Sequence, residues 1–131
     1  MKTILEDRVE YTKDGKLHRL DGPACEWSDG DKVWYAEGKR HRIDGPAIEL
    51  SDGSKFWYVK GKYHRLDGPA VEHINGSKFW YVKGKYHRLD GPAIELSNGS
   101  KLWFVEGKEY SETEFMHKFY PIKKPEYLKN S

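Results

Sequence analysis

Histidine, arginine and aspartate recur together along this chain. His18, Arg19 and Asp21 return as His41, Arg42 and Asp44, as His64, Arg65 and Asp67, and as His87, Arg88 and Asp90. A guanidinium presents planar, paired donors that match phosphate and carboxylate. The row therefore reads as a set of anion-binding forks, with His41, Arg42, His64, Arg65, His87 and Arg88 as candidate contacts to a small phosphorylated ligand. A structural role is simpler. Aspartate before Gly-Pro accepts turn amides, and arginine pairs with that aspartate or with Glu26, Glu49, Glu72 and Glu95 on a neighbouring strand. Residues present in every unit are most simply those that fold a unit and dock it to the next.

A second row is aromatic: Trp34, Trp57, Trp80 and Trp103, with Tyr58 and Tyr81 beside them. It reads either as a cross-strand ladder stabilising a thin sheet or as a surface for stacking and protein contact. Lys32, Lys55, Lys78 and Lys101 share the tryptophan side, but the repeated glutamates offset their field, so a long nucleic acid is not expected. Catalysis needs one arrangement of nucleophile, base and orienting group, and four translated copies supply none. No catalytic residue is assigned, and no cofactor. Equivalent histidines two strands apart lie roughly 10 Å from one another, too far to share a zinc ion at ~2.1 Å, so no metal site is expected.

These residues must be positioned by a repeat. From Gly15 the chain reads GKLHRLDGPACEWSDGDKVWYAE, and three gap-free copies follow from Gly38, Gly61 and Gly84, with KFWYVKGKYHRLDGPA occurring twice verbatim. Asp29-Gly30, Asp52-Gly53, Asn75-Gly76 and Asn98-Gly99 are dipeptides preferred in two-residue type I′ hairpin turns. Each lies between a Pro-Ala-x-Glu strand and a Lys-x-Trp-Tyr strand. Two strands per unit, ~4.8 Å apart, give an eight-strand ribbon roughly 35 Å long. Both faces of the second strand are apolar, so one sheet must curl or find a partner. The expected fold is all-β: an elongated, twisted antiparallel meander of tandem β-hairpin repeats with a short C-terminal capping helix.

One domain is expected, with residues 1–14 as N-terminal cap, 15–106 as four 23-residue repeats and 107–131 as C-terminal cap and tail. In the N-terminal cap, Tyr11 falls in the register of the tryptophans. At the other end, Ser111 and Glu114 have capping-box spacing, which predicts a helix from Glu112 to Phe119 ended by Pro121 and Pro125.

The bulk properties agree with a surface more than a pocket. The chain has 131 residues, 23 Lys+Arg against 21 Asp+Glu, 15% aromatics and one cysteine, Cys25, which excludes internal disulfides. This is one domain's worth of chain. No apolar run approaches the ~20 residues of a membrane span. MKTILEDRVEY carries acids where a secretory signal needs an apolar stretch, so a cytoplasmic setting is expected and membrane binding is not.

The period, the Gly-Lys-x-His opening (Gly61-Lys62-Tyr63-His64 and its equivalents) and the following Asp-Gly or Asn-Gly hairpin resemble MORN-type repeats. The continuation departs from them: Arg-x-Asp-Gly-Pro replaces Gly-x-Gly. The His-Arg-x-Asp-Gly-Pro-Ala variety is similar to tandem-repeat proteins of bacteriophages and large DNA viruses. That resemblance covers Gly15 to Glu106. It implies a non-catalytic scaffold or binding ribbon that binds itself as a homodimer or binds a host protein, such as a defence component, in the host cytoplasm.

Overall fold

The computed structural model describes residues 1–121. It is an antiparallel meander whose strands follow chain order: Lys2–Ile4, Arg8–Lys13, Cys25–Trp27, Lys32–Val33, Ile48–Glu49, Lys55–Phe56, Val71–Glu72, Lys78–Phe79, Ile94–Glu95, Lys101–Val105 and Lys108–Tyr110. Lys16–Leu17 branches off the second strand. The expected all-β ribbon with a C-terminal helix is the fold observed.

The ladder strands from Lys32 to Glu95 are two residues long, and alternation gives each face one row. On one side Glu26, Lys32, Glu49, Lys55, Glu72, Lys78, Glu95 and Lys101 stand opposite one another in unbroken acid–base alternation. The other side carries Cys25, Val33, Ile48, Phe56, Val71, Phe79, Ile94 and Leu102. Opposite charges and apolar pairs directly across a ladder each favour this register.

The first three units each contribute four short strands, two more than the sequence suggests, and the fourth contributes three because Lys101–Val105 runs through unbroken. After the tryptophan the chain turns out of the main sheet and forms a small outer hairpin with the next unit: Tyr35–Ala36 with Lys39–Arg40, Tyr58–Val59 with Lys62–Tyr63, Tyr81–Val82 with Lys85–Tyr86. The type I′ turns lie here. Glu37, Lys60 and Lys83 have φ of 50–52° and the glycines after them φ of 79–80°, the pair of positive values that turn requires. The turns at Asp29-Gly30, Asp52-Gly53, Asn75-Gly76 and Asn98-Gly99 are of another kind. Only their glycine has positive φ, and Gly53 N–H donates to the Leu50 carbonyl while Leu50 N–H donates to Ser54, the three-residue turn with a bulge. The Asp52 side chain accepts from Ser54 N–H at 2.8 Å and the Asn75 side chain from Ser77 N–H at 2.8 Å, which ties up the residue that would otherwise swing to positive φ.

The core is thin. Ala24, Ala47, Ala70 and Ala93 are wholly buried, and each alternates with an aromatic residue along the ladder: Tyr11 N–H donates to Ala24, Trp34 to Ala47, Trp57 to Ala70 and Trp80 to Ala93. A small side chain beside each large ring leaves room for a group stacked above it. Tyr11 occupies the tryptophan position, as its register implies. An edge strand, Lys2–Ile4, precedes it; too few residues carry any pattern for sequence to announce it.

The C-terminal helix spans Glu112–Phe119 with the expected capping box. Ser111 Oγ accepts from Glu114 N–H, and the Glu114 carboxylate accepts from Ser111 N–H. It packs on the last two strands through Phe115, which is buried, and through Phe119, edge-on to Tyr110 at 5.6 Å. Pro121 follows its end; Pro125 and the rest of the expected tail lie outside the described residues.

Candidate functional site: a row of clefts along the loop side

The recurring arginine folds back over an aromatic ring at every unit. Arg65 Cζ sits 3.8 Å from the Trp57 ring centre, Arg42 4.0 Å from Trp34, Arg88 3.9 Å from Trp80 and Arg19 3.9 Å from Tyr11. This is the stacking expected of a planar cation on an aromatic face. The guanidinium is also saturated along its inner edge. Arg65 Nε donates to Asp67 at 2.9 Å, and Nη1 donates to the Pro69 carbonyl at 3.0 Å and to Glu72 at 3.2 Å. Arg42 and Arg88 repeat the pattern with Asp44, Pro46 and Glu49, and with Asp90, Pro92 and Glu95. The Arg65 guanidinium holds the Asp67 carboxyl below its usual range. Gly68 makes room for the guanidinium: a Cβ there would stand 2.8 Å from Arg65 Cζ and the arginine would have to shift. Asp-Gly-Pro therefore closes the loop around the arginine.

The histidines are committed as well. His64 Nδ1 accepts from Lys83 N–H at 3.0 Å, His41 Nδ1 from Lys60 N–H at 2.9 Å and His87 Nδ1 from Glu106 N–H at 3.0 Å. Each donor is the left-handed residue of the next type I′ turn, so each histidine clamps the turn of its neighbour. This contact lies 19 positions away along the chain, and no local pattern displays it.

The aromatic candidates divide. Tyr58 is buried within a stack in which Tyr58, Tyr63, Tyr81 and Tyr86 follow one another at 4.3, 4.8 and 4.4 Å and Phe104 closes at 5.0 Å. Burial, then a hydrogen bond to Tyr58, pushes the Tyr63 hydroxyl up to about 12, and burial raises Tyr81 as well. Arg40 ends the stack, 5.1 Å from the Tyr58 ring with Nη1 donating to its hydroxyl. Trp34, Trp57, Trp80 and Trp103 are half-buried, and the first three lie beneath their arginines. The tryptophan face is thus roofed rather than open, because the long connection doubles back over it.

What stands free on this side is aliphatic. Leu20, Ile43 and Leu66 are 83%, 78% and 80% exposed, and Leu89 is half exposed. They occupy the x of His-Arg-x-Asp, one per unit, at the tip of the loop. Between successive loops open three like clefts of about 650, 650 and 540 Å³. The central one is lined by Ile43, Pro46, Trp57, Val59 and Leu66, with Asp44 and Asp67 at its edge. Sequence reading passed over this row, yet a signal existed: a polar loop that keeps Leu or Ile at one position in all four copies, where no strand alternation asks for it.

Among the described residues no group of three histidine, cysteine or carboxylate side chains is placed to hold a metal, and no helix is long and apolar enough to cross a membrane. Cys25 is buried, and burial raises its thiol. Compared with known proteins, the chain matches no family model, no curated protein and no solved structure.

Proposed function

We propose that the chain is a non-catalytic protein-interaction module that binds its partner along the loop side. The observation that supports this is the line of exposed aliphatic side chains, Leu20, Ile43, Leu66 and Leu89, standing over clefts at one-unit intervals. Contiguous exposed apolar surface rimmed by polar groups is characteristic of interfaces. The tryptophans act here as floor and support, and the arginines hold the loops that present the contact residues. A second copy of the chain or a host protein is the partner to test first, the latter on the resemblance alone.

The alternative, a small phosphorylated ligand held by the His-Arg rows, draws less support. Nε and Nη1 of each arginine and Nδ1 of each histidine already have partners. Immobilised wild-type chain and the doubly substituted Ile43→Asp, Leu66→Asp chain separate the two, because both residues are exposed and the substitutions leave the melting temperature within a few degrees. The module reading expects a discrete protein retained from host extract by the wild type and lost by the variant. An identical set retained by both contradicts it.

A further inference from the structure

We propose that the loop-side clefts take a proline-rich segment in the polyproline II conformation, one residue in three entering successive clefts. The proposal rests on the protein-interaction reading and specifies its partner.

The first argument is period. Each unit advances by two strands, roughly 9.6 Å, and the tyrosine stack in the same units advances by 4.3 and 4.8 Å per ring, two rings per unit. Polyproline II has three residues per turn and rises ~3.1 Å per residue, so every third side chain returns to one face after ~9.3 Å. The mismatch per cleft is a few tenths of an ångström. An extended strand returns a side chain to one face every ~6.7 Å and falls out of step at the second cleft. An α-helix needs two turns, about 10.8 Å, and drifts by more than an ångström per unit.

The second argument is chemistry. A polyproline II chain has no internal hydrogen bonds, so its carbonyls need donors, and aromatic-lined grooves supply them together with flat apolar walls. Trp34, Trp57 and Trp80 each line one cleft, beside Ala36, Val59 and Val82 respectively. No described group accepts from these indole N–H groups and none of them is buried without a partner, so each remains available as a donor. The third argument is charge. Asp44 and Asp67 are 86% and 87% exposed at the cleft edges, each bonded to its arginine through one oxygen. Arg42 and Arg65 line the same cleft and balance them, so the aspartates offer the segment a carboxylate oxygen as acceptor at the rim rather than a net negative field.

The test is fluorescence anisotropy with two labelled synthetic peptides of equal composition. One carries leucine at every third position of a proline framework with arginine at each end; in the other the leucines are contiguous. The proposal expects the spaced peptide to bind the full chain at least about tenfold more tightly. It also expects Ile43→Asp with Leu66→Asp to remove about tenfold or more of that affinity at an unchanged melting temperature. Equal binding of the two peptides, or binding of neither, overturns it. When neither binds, light scattering on the same samples shows which reading has failed. A dimer that the double substitution dissociates overturns only the proline-rich partner and makes a second copy the occupant. A monomer, with the same host proteins retained by both chains, overturns the module as well.

Discussion

Arg65 and Leu66 are neighbours with opposite duties. Arg65 stacks on Trp57, ties down the Pro69 carbonyl and pairs with Asp67 and Glu72, whereas Leu66 touches little of its own chain. Arg65→Ala removes the stack and leaves polar partners unpaired, at a cost of about 2–3 kcal/mol in urea unfolding. Arg65→Lys recovers little of it, since an ammonium lacks the planar fork. The tyrosine stack gives a prediction in pH. Tyr63 is raised to about 12 and Tyr81 is raised too, so the folded chain holds protons that the unfolded chain releases near 10. The stability they contribute is fully present below pH ~10 and is lost as pH climbs from there toward about 12. The melting temperature falls over that window, and the tyrosinate absorbance of these rings appears with unfolding rather than before it.

At the scale of elements, what was legible was whatever sits close in sequence. The capping box named the helix to the residue, and the repeated Pro-Ala-x-Glu and Lys-x-Trp segments named the ladder. The four hairpin dipeptides expected to form type I′ turns do not form them. Asp-Gly and Asn-Gly carry the composition of type I′ turns, but side-chain bonds from Asp52 and Asn75 to the second residue after them select the bulged turn. The type I′ turns are Asp14-Gly15, Glu37-Gly38, Lys60-Gly61, Lys83-Gly84 and Glu106-Gly107, the last four each held by the histidine 19 positions earlier. The loop-side clefts were hidden for the same reason: they exist only between units, after the long connection has folded back. His64→Ala removes the acceptor for Lys83 N–H, and a loss of about 1 kcal/mol in urea unfolding is expected. Ser111→Ala costs a similar ~1 kcal/mol, localised to the helix and visible as faster amide exchange there.

The whole molecule is one unit repeated by translation. Arg42 N–H donates to Tyr58, Arg65 N–H to Tyr81 and Arg88 N–H to Phe104, and Gly61 and Gly84 N–H donate to Arg40 and Tyr63. Such chains have stabilities close to a sum of units and interfaces. Deleting residues 61–83 joins the second unit to the fourth with every inter-unit bond available. The expected product is folded, with native-like circular dichroism, a lower melting temperature and one cleft fewer. The near-neutral net charge of +2 belongs to the chain as a whole; what recurs matched in every unit is the Arg–Asp pair of the loop and the Glu–Lys pair of the ladder.

In the proposed module the arginine rows build the loops and the aliphatic row on them makes contact. Nuclear magnetic resonance of the chain labelled at Leu and Ile methyls and at arginine Nε, titrated with the leucine-spaced peptide and separately with inorganic phosphate, reads both rows at once. The peptide is expected to shift the methyls of Leu20, Ile43, Leu66 and Leu89, and phosphate to leave the Nε signals of Arg42, Arg65 and Arg88 in place. Phosphate moving those Nε signals, with the methyls still under peptide, contradicts the proposed module.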